Sequence, residues 1–339
     1  MKLSLQTLRY RLDLRYPFTI SRSTRTFQDS IIVSISDGSA IGYGEVIPYP
    51  FYGITHEKIE QSISNSKSIV ENAFGQHPED LWKELEVLLR DDYFSLCALD
   101  CAYWDYYARS NNRTTRSYFY NDLKQAPLSD YTIGIDTIEA MKQKVLNTPW
   151  PIYKIKLGTK HDVTIVKELR DITDAVFRID ANCAWSVEET LANAKELIDL
   201  GVEFIEQPLE PEDREGMIRL KNECLLPLIA DESCQRFDDV KKCAEGFHGI
   251  NIKLMKCGGL TPALKMIKRA RELNLKVMAG CMAESTVGIS NLAQLAPLLD
   301  FLDADGGLLI KNDTATGVNL ENGRIQYPSK NGSGISLLD

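Results

Sequence analysis

Over the first fourteen positions Leu3, Leu5, Leu8, Tyr10, Leu12 and Leu14 stand among polar neighbours, the near-alternation of a strand with one face inward. A β-branched run at 30–35 follows and ends at Asp37-Gly38, a hairpin signal, and residues 40–46 supply a third strand. The pattern predicts a small antiparallel meander. Between its first two strands, residues 19–26 are polar and carry Arg22 and Arg25. They read as a connection, and as a lid if either guanidinium meets an anionic substrate. Residues 48–53 set Tyr49, Phe51 and Tyr52 among Pro and Gly, which suits a pocket wall.

From His56 to Asn111 the period becomes helical. Pro78 opens a helix with Leu81, Leu85, Leu88 and Leu89 on its apolar stripe. Residues 94–106 are rich in small side chains, which allow close approach, so this helix is expected to be buried. Residues 113–127 lose periodicity and read as a connection.

Beyond Tyr131 a short apolar strand, a charged strand end and an amphipathic helix recur. The expected strands are 131–135, 152–157, 177–180, 204–206, 228–230, 249–253, 276–279 and 301–302. A βα unit repeated about every 25 residues fits a parallel barrel. Ser186 can cap a helix over 187–200 that stops at Gly201, and Thr261-Pro262 opens another. An open doubly wound sheet alternates in the same way, but no G-x-G-x-x-G follows a first strand.

Composition narrows the chemistry. The 339 residues are 44 % apolar and 26 % charged, with a net charge of −9 and no basic block, which argues against nucleic acid and anionic membranes as partners. A secretory h-region and an 18-residue apolar run are both missing, so a cytoplasmic location is expected. Eight cysteines contain no C-x-x-C pair and read as buried thiols rather than disulfides or a zinc site.

A barrel gathers its chemistry at the C-terminal strand ends. Here these hold Lys154 and Lys156, Asp180 with Asn182, Glu206, Asp231 with Glu232, Lys253, and Asp303 with Asp305. Three carboxylates on consecutive strands repel unless a cation sits among them, and an all-oxygen set suits Mg²⁺. Lys156 precedes these strands and Lys253 follows them, so the two reach in from opposite flanks. A lysine beside another cation is expected to have a lowered pKa and to act as a base, and two opposed bases fit an inversion at carbon.

Taken in order, Gly42-Tyr43-Gly44-Glu45, Ala98-Leu99-Asp100, Lys154-Ile155-Lys156, Asp180-Ala181-Asn182, Ile205-Glu206-Gln207-Pro208, Ala230-Asp231-Glu232-Ser233 and Ile252 to Gly259 resemble the enolase superfamily, in its muconate-lactonizing-enzyme subgroup. The resemblance implies an α/β fold, a modified TIM barrel, (β/α)₇β, with an α+β capping domain. It implies a cap from 1–125, a barrel from 126–314, and a segment 315–339 that returns to the cap. It also implies Asp180, Glu206 and Asp231 as Mg²⁺ ligands, Lys156 and Lys253 as acid/base catalysts with Lys154 supporting, and Asn182 and Glu232 behind the ligands.

Leu302-Asp303-Ala304-Asp305 matches the D-x-D with which the dipeptide epimerases of this subgroup hold a substrate's α-ammonium group, and Cys281-Met282 resembles their preceding strand end. Gly306-Gly307 follow where the family often has proline. The implied activity is an isomerase epimerising the C-terminal residue of a dipeptide of the L-Ala-D/L-Glu type, as in peptidoglycan peptide metabolism. Arg22 or Arg25 would meet the side-chain carboxylate. Alternatives within the subgroup are o-succinylbenzoate synthesis, N-acylamino acid racemisation, cycloisomerisation, or epimerisation of hydrophobic or cationic dipeptides. A homo-oligomer is left open.

Overall fold

A computed structural model describes residues 2–21, 23–120 and 125–338. The N-terminal sheet runs β1 (Ser4–Ile20), β2 (Ser23–Ser36) and β3 (Ile41–Val46), all antiparallel. Its hairpin is longer than the sequence suggests. Both strands continue through the polar stretch at 19–26, pairing Thr19 with Thr24 and Ile20 with Ser23 beyond an irregularity between Asp13 and Phe18. The polar character reflects a two-stranded ribbon with solvent on one side, not a loop. Its end is seated on the barrel, where Ile135 N–H donates to Thr19 O (2.9 Å) and Ser21 Oγ to Asn182 O (3.2 Å).

Three helices cover the sheet: α1 (His56–Glu71), α2 (Pro78–Leu88) and α3 (Tyr93–Ser110). The small-residue helix α3 is buried along nearly its whole length. Glycine makes this possible on the facing strand: a Cβ at Gly42 would lie 2.1 Å from Tyr106 N, and one at Gly44 2.0 Å from Ala98 O. Both clashes are with backbone, which cannot move aside.

The second part is an eight-stranded parallel sheet of β4 (Tyr131–Ile133), β5 (Ile152–Lys156), β6 (Val176–Asp180), β7 (Val202–Glu206), β8 (Leu228–Ala230), β9 (Gly249–Ile252), β10 (Lys276–Gly280) and β11 (Phe301–Asp303), in chain order across the sheet. A parallel bridge from Ser129 to Leu302 and the Asp130 N–H···O Leu302 bond (3.2 Å) join the two edges. The eight expected strands are all present, with ends within two residues of the prediction.

The outer helices are α4 (Ile138–Asn147), α5 (Asp162–Arg170), α6 (Val187–Leu197), α7 (Arg214–Glu223), α8 (Asp239–Gly246), the single turn α9 (Leu254–Cys257), α10 (Leu260–Glu272) and α11 (Thr286–Leu292). Ser186 and Glu189 form the capping box of α6. That helix ends at Leu197 rather than 200, and the chain turns at Gly201, where φ is +72°.

Inside the barrel, side chains alternate by strand period. Phe204, Ile229 and Met278 form an apolar plug with Phe301 against it, and the charged strand ends lie one layer above. The tail comes back to the N-terminal part: Ser333 N–H donates to Asp105 Oδ1 (2.7 Å), and Ile335 packs with Ile32. Among the described residues no helix is long and apolar enough to cross a membrane.

Candidate active site

The cleft lies at the C-terminal strand ends, beneath the β1–β2 hairpin. Leu14, Phe18, Ile20, Arg25, Tyr49, Phe51 and Tyr52 close it from the N-terminal part, and the empty space amounts to about 850 Å³ with its open mouth included. The aromatics of the 48–53 turn thus form the wall their composition suggested. Arg22 lies outside the described residues. Arg25 lines the cleft from within β2, its guanidinium 4.2 Å above the Tyr49 ring and its Nη1 donating to Gln28 Oε1 at 2.7 Å.

On the floor, Asp180 and Glu206 end adjacent strands and Asp231 directly follows the next, all three buried, each with a carboxylate oxygen within 4.8 Å of the others. Four lysines surround them. Lys156 Nζ donates to Asp180 Oδ2 (2.5 Å), and Lys253 Nζ to Asp231 Oδ2 (2.8 Å). Lys154 lies 2.7 Å from Glu206 Oε2, 3.2 Å from Asp180 Oδ2 and 2.9 Å from Asp303 Oδ2. Lys256 holds Asp231 Oδ1 at 2.6 Å. Strands β5 and β9 are four steps apart in a ring of eight, so Lys156 and Lys253 face each other across the cleft that both line.

Charge explains the titration behaviour. Asp180 is brought down to about 2, because Lys156 and Lys154 outweigh its burial, and Asp231 falls well below the usual carboxylate range against burial because of Lys253 and Lys256. Burial pushes Glu206 up to about 7, Asp180 and Asp231 adding to it against Lys154. Burial works against the charge on Lys154 and Lys253 as well, yet both are held well above the ordinary lysine value, by Asp303 and Glu206 at Lys154 and by Asp231 at Lys253. At these two lysines the carboxylates in contact outweigh burial and the neighbouring ammonium groups.

The donor set itself suits a hard divalent cation. Three buried carboxylates offer only oxygen, in an arrangement that Mg²⁺ accepts and a soft ion does not require.

The second acidic group sits on the last strand. Asp303 is bound by Lys154, whereas Asp305 Oδ2 accepts the Thr132 N–H (2.5 Å). Burial and then Asp303 push the Asp305 carboxyl up to about 7. Cys281 Sγ approaches Asp303 Oδ1 at 4.0 Å and Asp305 Oδ1 at 3.8 Å, and Met282 lines the same wall. Asn182, in the left-handed region at φ +44°, donates its backbone N–H to Asp180 Oδ1 (3.0 Å) and lines the cleft. Glu232 also lines the cleft, its carboxyl raised by burial and by Asp231.

Sequence reasoning missed several members. Asn251 Nδ2 donates to Glu206 Oε1 (2.7 Å) through the space left by Gly280, where a Cβ would meet the amide at 2.7 Å. Gln207 Oε1 takes the N–H groups of Asp231 and Ser233. Asn251 falls two residues before Lys253, so strand period could have found it. Thr132 carries no such signal.

Comparison with known proteins agrees with this architecture. Residues 2–116 match the family described as mandelate racemase / muconate lactonizing enzyme, N-terminal domain, and residues 136–339 match the family described as enolase C-terminal domain-like. An L-Ala-D/L-amino acid epimerase of Flavobacterium johnsoniae is 48 % identical over 338 residues, covering 100 % of both chains. A substrate-liganded L-Ala-D/L-Glu epimerase from Bacillus subtilis superposes with a TM-score of 0.93 at 27 % identity, covering 99 % of each chain. A dipeptide epimerase from Enterococcus faecalis, complexed with Mg and L-Leu-L-Tyr, gives 0.92 at 29 %, covering 99 % of this chain and 100 % of the other.

Proposed function

The chain belongs to the mandelate racemase / muconate lactonizing enzyme family of the enolase superfamily and is an isomerase, and from that premise we propose that it is a Mg²⁺-dependent dipeptide epimerase inverting the α-carbon of the C-terminal residue. The observation that carries the reading is the opposition of Lys156 and Lys253 across one cleft, with a carboxylate triad between them and Asp303 and Asp305 to one side.

Asp180, Glu206 and Asp231 would hold the ion. Bound there, Mg²⁺ would supply positive charge to the substrate carboxylate as negative charge develops in it. The protein's own groups do the rest. Lys156 and Lys253 alternate as amine and ammonium: one takes the α-proton from its face while the other returns a proton to the opposite face, which inverts the centre. Lys154, 1 % exposed and bound to three carboxylates, keeps the floor's charge in place and stays out of the transfer. Asp305, short of a cationic partner, receives the dipeptide's α-ammonium group with Asp303 beside it, and Cys281 and Met282 shape that corner.

The substrate side chain meets a mixed wall. Arg25 offers one cation, already stacked on Tyr49 and bonded to Gln28, while Leu14, Phe18, Ile20 and Phe51 are apolar. L-Ala-D/L-Glu therefore fits, and so do L-Ala dipeptides with apolar second residues; the name of the Flavobacterium relative supports that wider range.

A panel of L-Ala-X dipeptides and N-acylamino acids, incubated in D₂O with Mg²⁺ and followed by NMR, tests the reading. Epimerisation with deuterium incorporation is expected for the free-amine dipeptides and not for the N-acylated compounds. Turnover of the N-acylated set alone would favour an N-acylamino acid racemase instead.

A further inference from the structure

Lys256 is the one of the four floor lysines that the reaction proposed above does not use. Its side chain is 0 % exposed, against 12 % for Lys253. An ammonium has three N–H donors, and Lys256 has three acceptors: Asp231 Oδ1 (2.6 Å), the Asp231 carbonyl oxygen, and Cys234 O (3.1 Å). Nothing remains for substrate or solvent. Lys253 has one carboxylate oxygen, Asp231 Oδ2, and lines the cleft.

The local fold explains the pairing. Lys253 directly follows β9 and is the N-cap of α9, so Lys256 follows one helical turn later on the same side. Gly258 and Gly259 then end the turn at φ +96° and +113°. A Cβ at Gly259 would lie 2.4 Å from Asp100 Oδ2, whose carboxylate caps α10 through Thr261 N–H (2.9 Å) and Oγ1 (2.7 Å). The turn carrying both lysines is therefore clamped between the barrel and α3. One carboxylate is gripped at one oxygen by a saturated lysine and at the other by an exchangeable one.

We propose that Lys256 is a positioning residue: it fixes Asp231 by holding Oδ1 and the loop 231–234, leaving Oδ2 as the single oxygen open to exchange between Lys253 and a divalent cation. The inference rests on the metal reading of the cleft given above. A buried donor behind a metal ligand typically changes metal affinity by about 10- to 100-fold when removed. A lysine that acted only as a competing charge would give the opposite sign.

Calorimetric titration of the full chain with MgCl₂ distinguishes these cases, comparing the unaltered protein, Lys256→Met and Asp231→Asn. The expected result is one saturable site in the unaltered protein, lost in Asp231→Asn and weakened about 10-fold or more in Lys256→Met. The Lys256→Met kcat should fall by a similar factor in both directions, with the dipeptide KM nearly unchanged. Unaltered Mg²⁺ affinity in Lys256→Met would leave Lys256 a merely structural part, and tighter binding would make it a competing charge; either overturns the proposal. No saturable site in the unaltered protein would remove the metal reading itself, and the positioning role with it. Should circular dichroism show Lys256→Met unfolded, Lys256→Gln carries the same comparison.

Discussion

The two acidic ends of the cleft differ in who supplies the positive charge. Asp180, Glu206 and Asp231 are met by the protein's own lysines, one ammonium or more on each carboxylate. At the other end Asp303 shares Lys154 with the floor, and Asp305 has a backbone N–H and a carboxyl raised to about 7. The first end is charge-matched by the protein's own groups; the second lacks a cation of its own. A ligand that brings an ammonium group fills that need, which is the physical ground for placing the free amine of a dipeptide there.

The largest expected effect comes from the floor's exchangeable lysines. Lys156→Ala or Lys253→Ala should each lower epimerisation on the order of 10³-fold in both directions, measured by polarimetry or chiral chromatography. Removing a carboxylate that the lysines serve should act through the ion: Glu206→Gln is expected to weaken Mg²⁺ by more than about 100-fold, beyond what an outer partner is worth, and to need millimolar MgCl₂ or more for what activity remains. At the other end the signature should change from rate to binding. Asp305→Asn is expected to raise the KM for a free-amine dipeptide about 10- to 100-fold, the worth of one charged hydrogen bond, with kcat within a few-fold. Equal losses of kcat and binding at both ends would break the distinction between them. The smallest effect on chemistry belongs to Gly44→Ala, which touches neither end: its clash with Ala98 O should cost about 1–3 kcal/mol of stability, read as a lower Tm with the ratio of the two epimerisation rates unchanged.

The same contrast describes what was legible in the sequence. The barrel strands and the residues at their ends follow from period and spacing, because each βα unit is a local pattern repeated. Asp180, Glu206, Asp231, Lys156 and Lys253 come together because β5 to β9 lie in chain order. Which carboxylate each lysine holds was not legible: Lys154 meets Asp303 and Glu206, and Lys253 meets Asp231, only once the barrel closes. The hairpin was misread for a related reason. Thr19 to Thr26 is polar because one side of the ribbon faces solvent, and pairing with a partner strand leaves no mark on composition. Thr132 and Lys256 enter through contacts to Asp305 and Asp231 that only the closed barrel creates.

The central claim is that Lys156 and Lys253 serve opposite faces of one carbon. Wash-out of the α-proton into D₂O, measured by NMR for L-Ala-L-X and L-Ala-D-X in Lys156→Ala and in Lys253→Ala with Mg²⁺ present, tests it most directly. The account predicts that each variant still exchanges one epimer and not the other, with opposite choices in the two variants. The same choice in both variants, or exchange of both epimers by either, would contradict it.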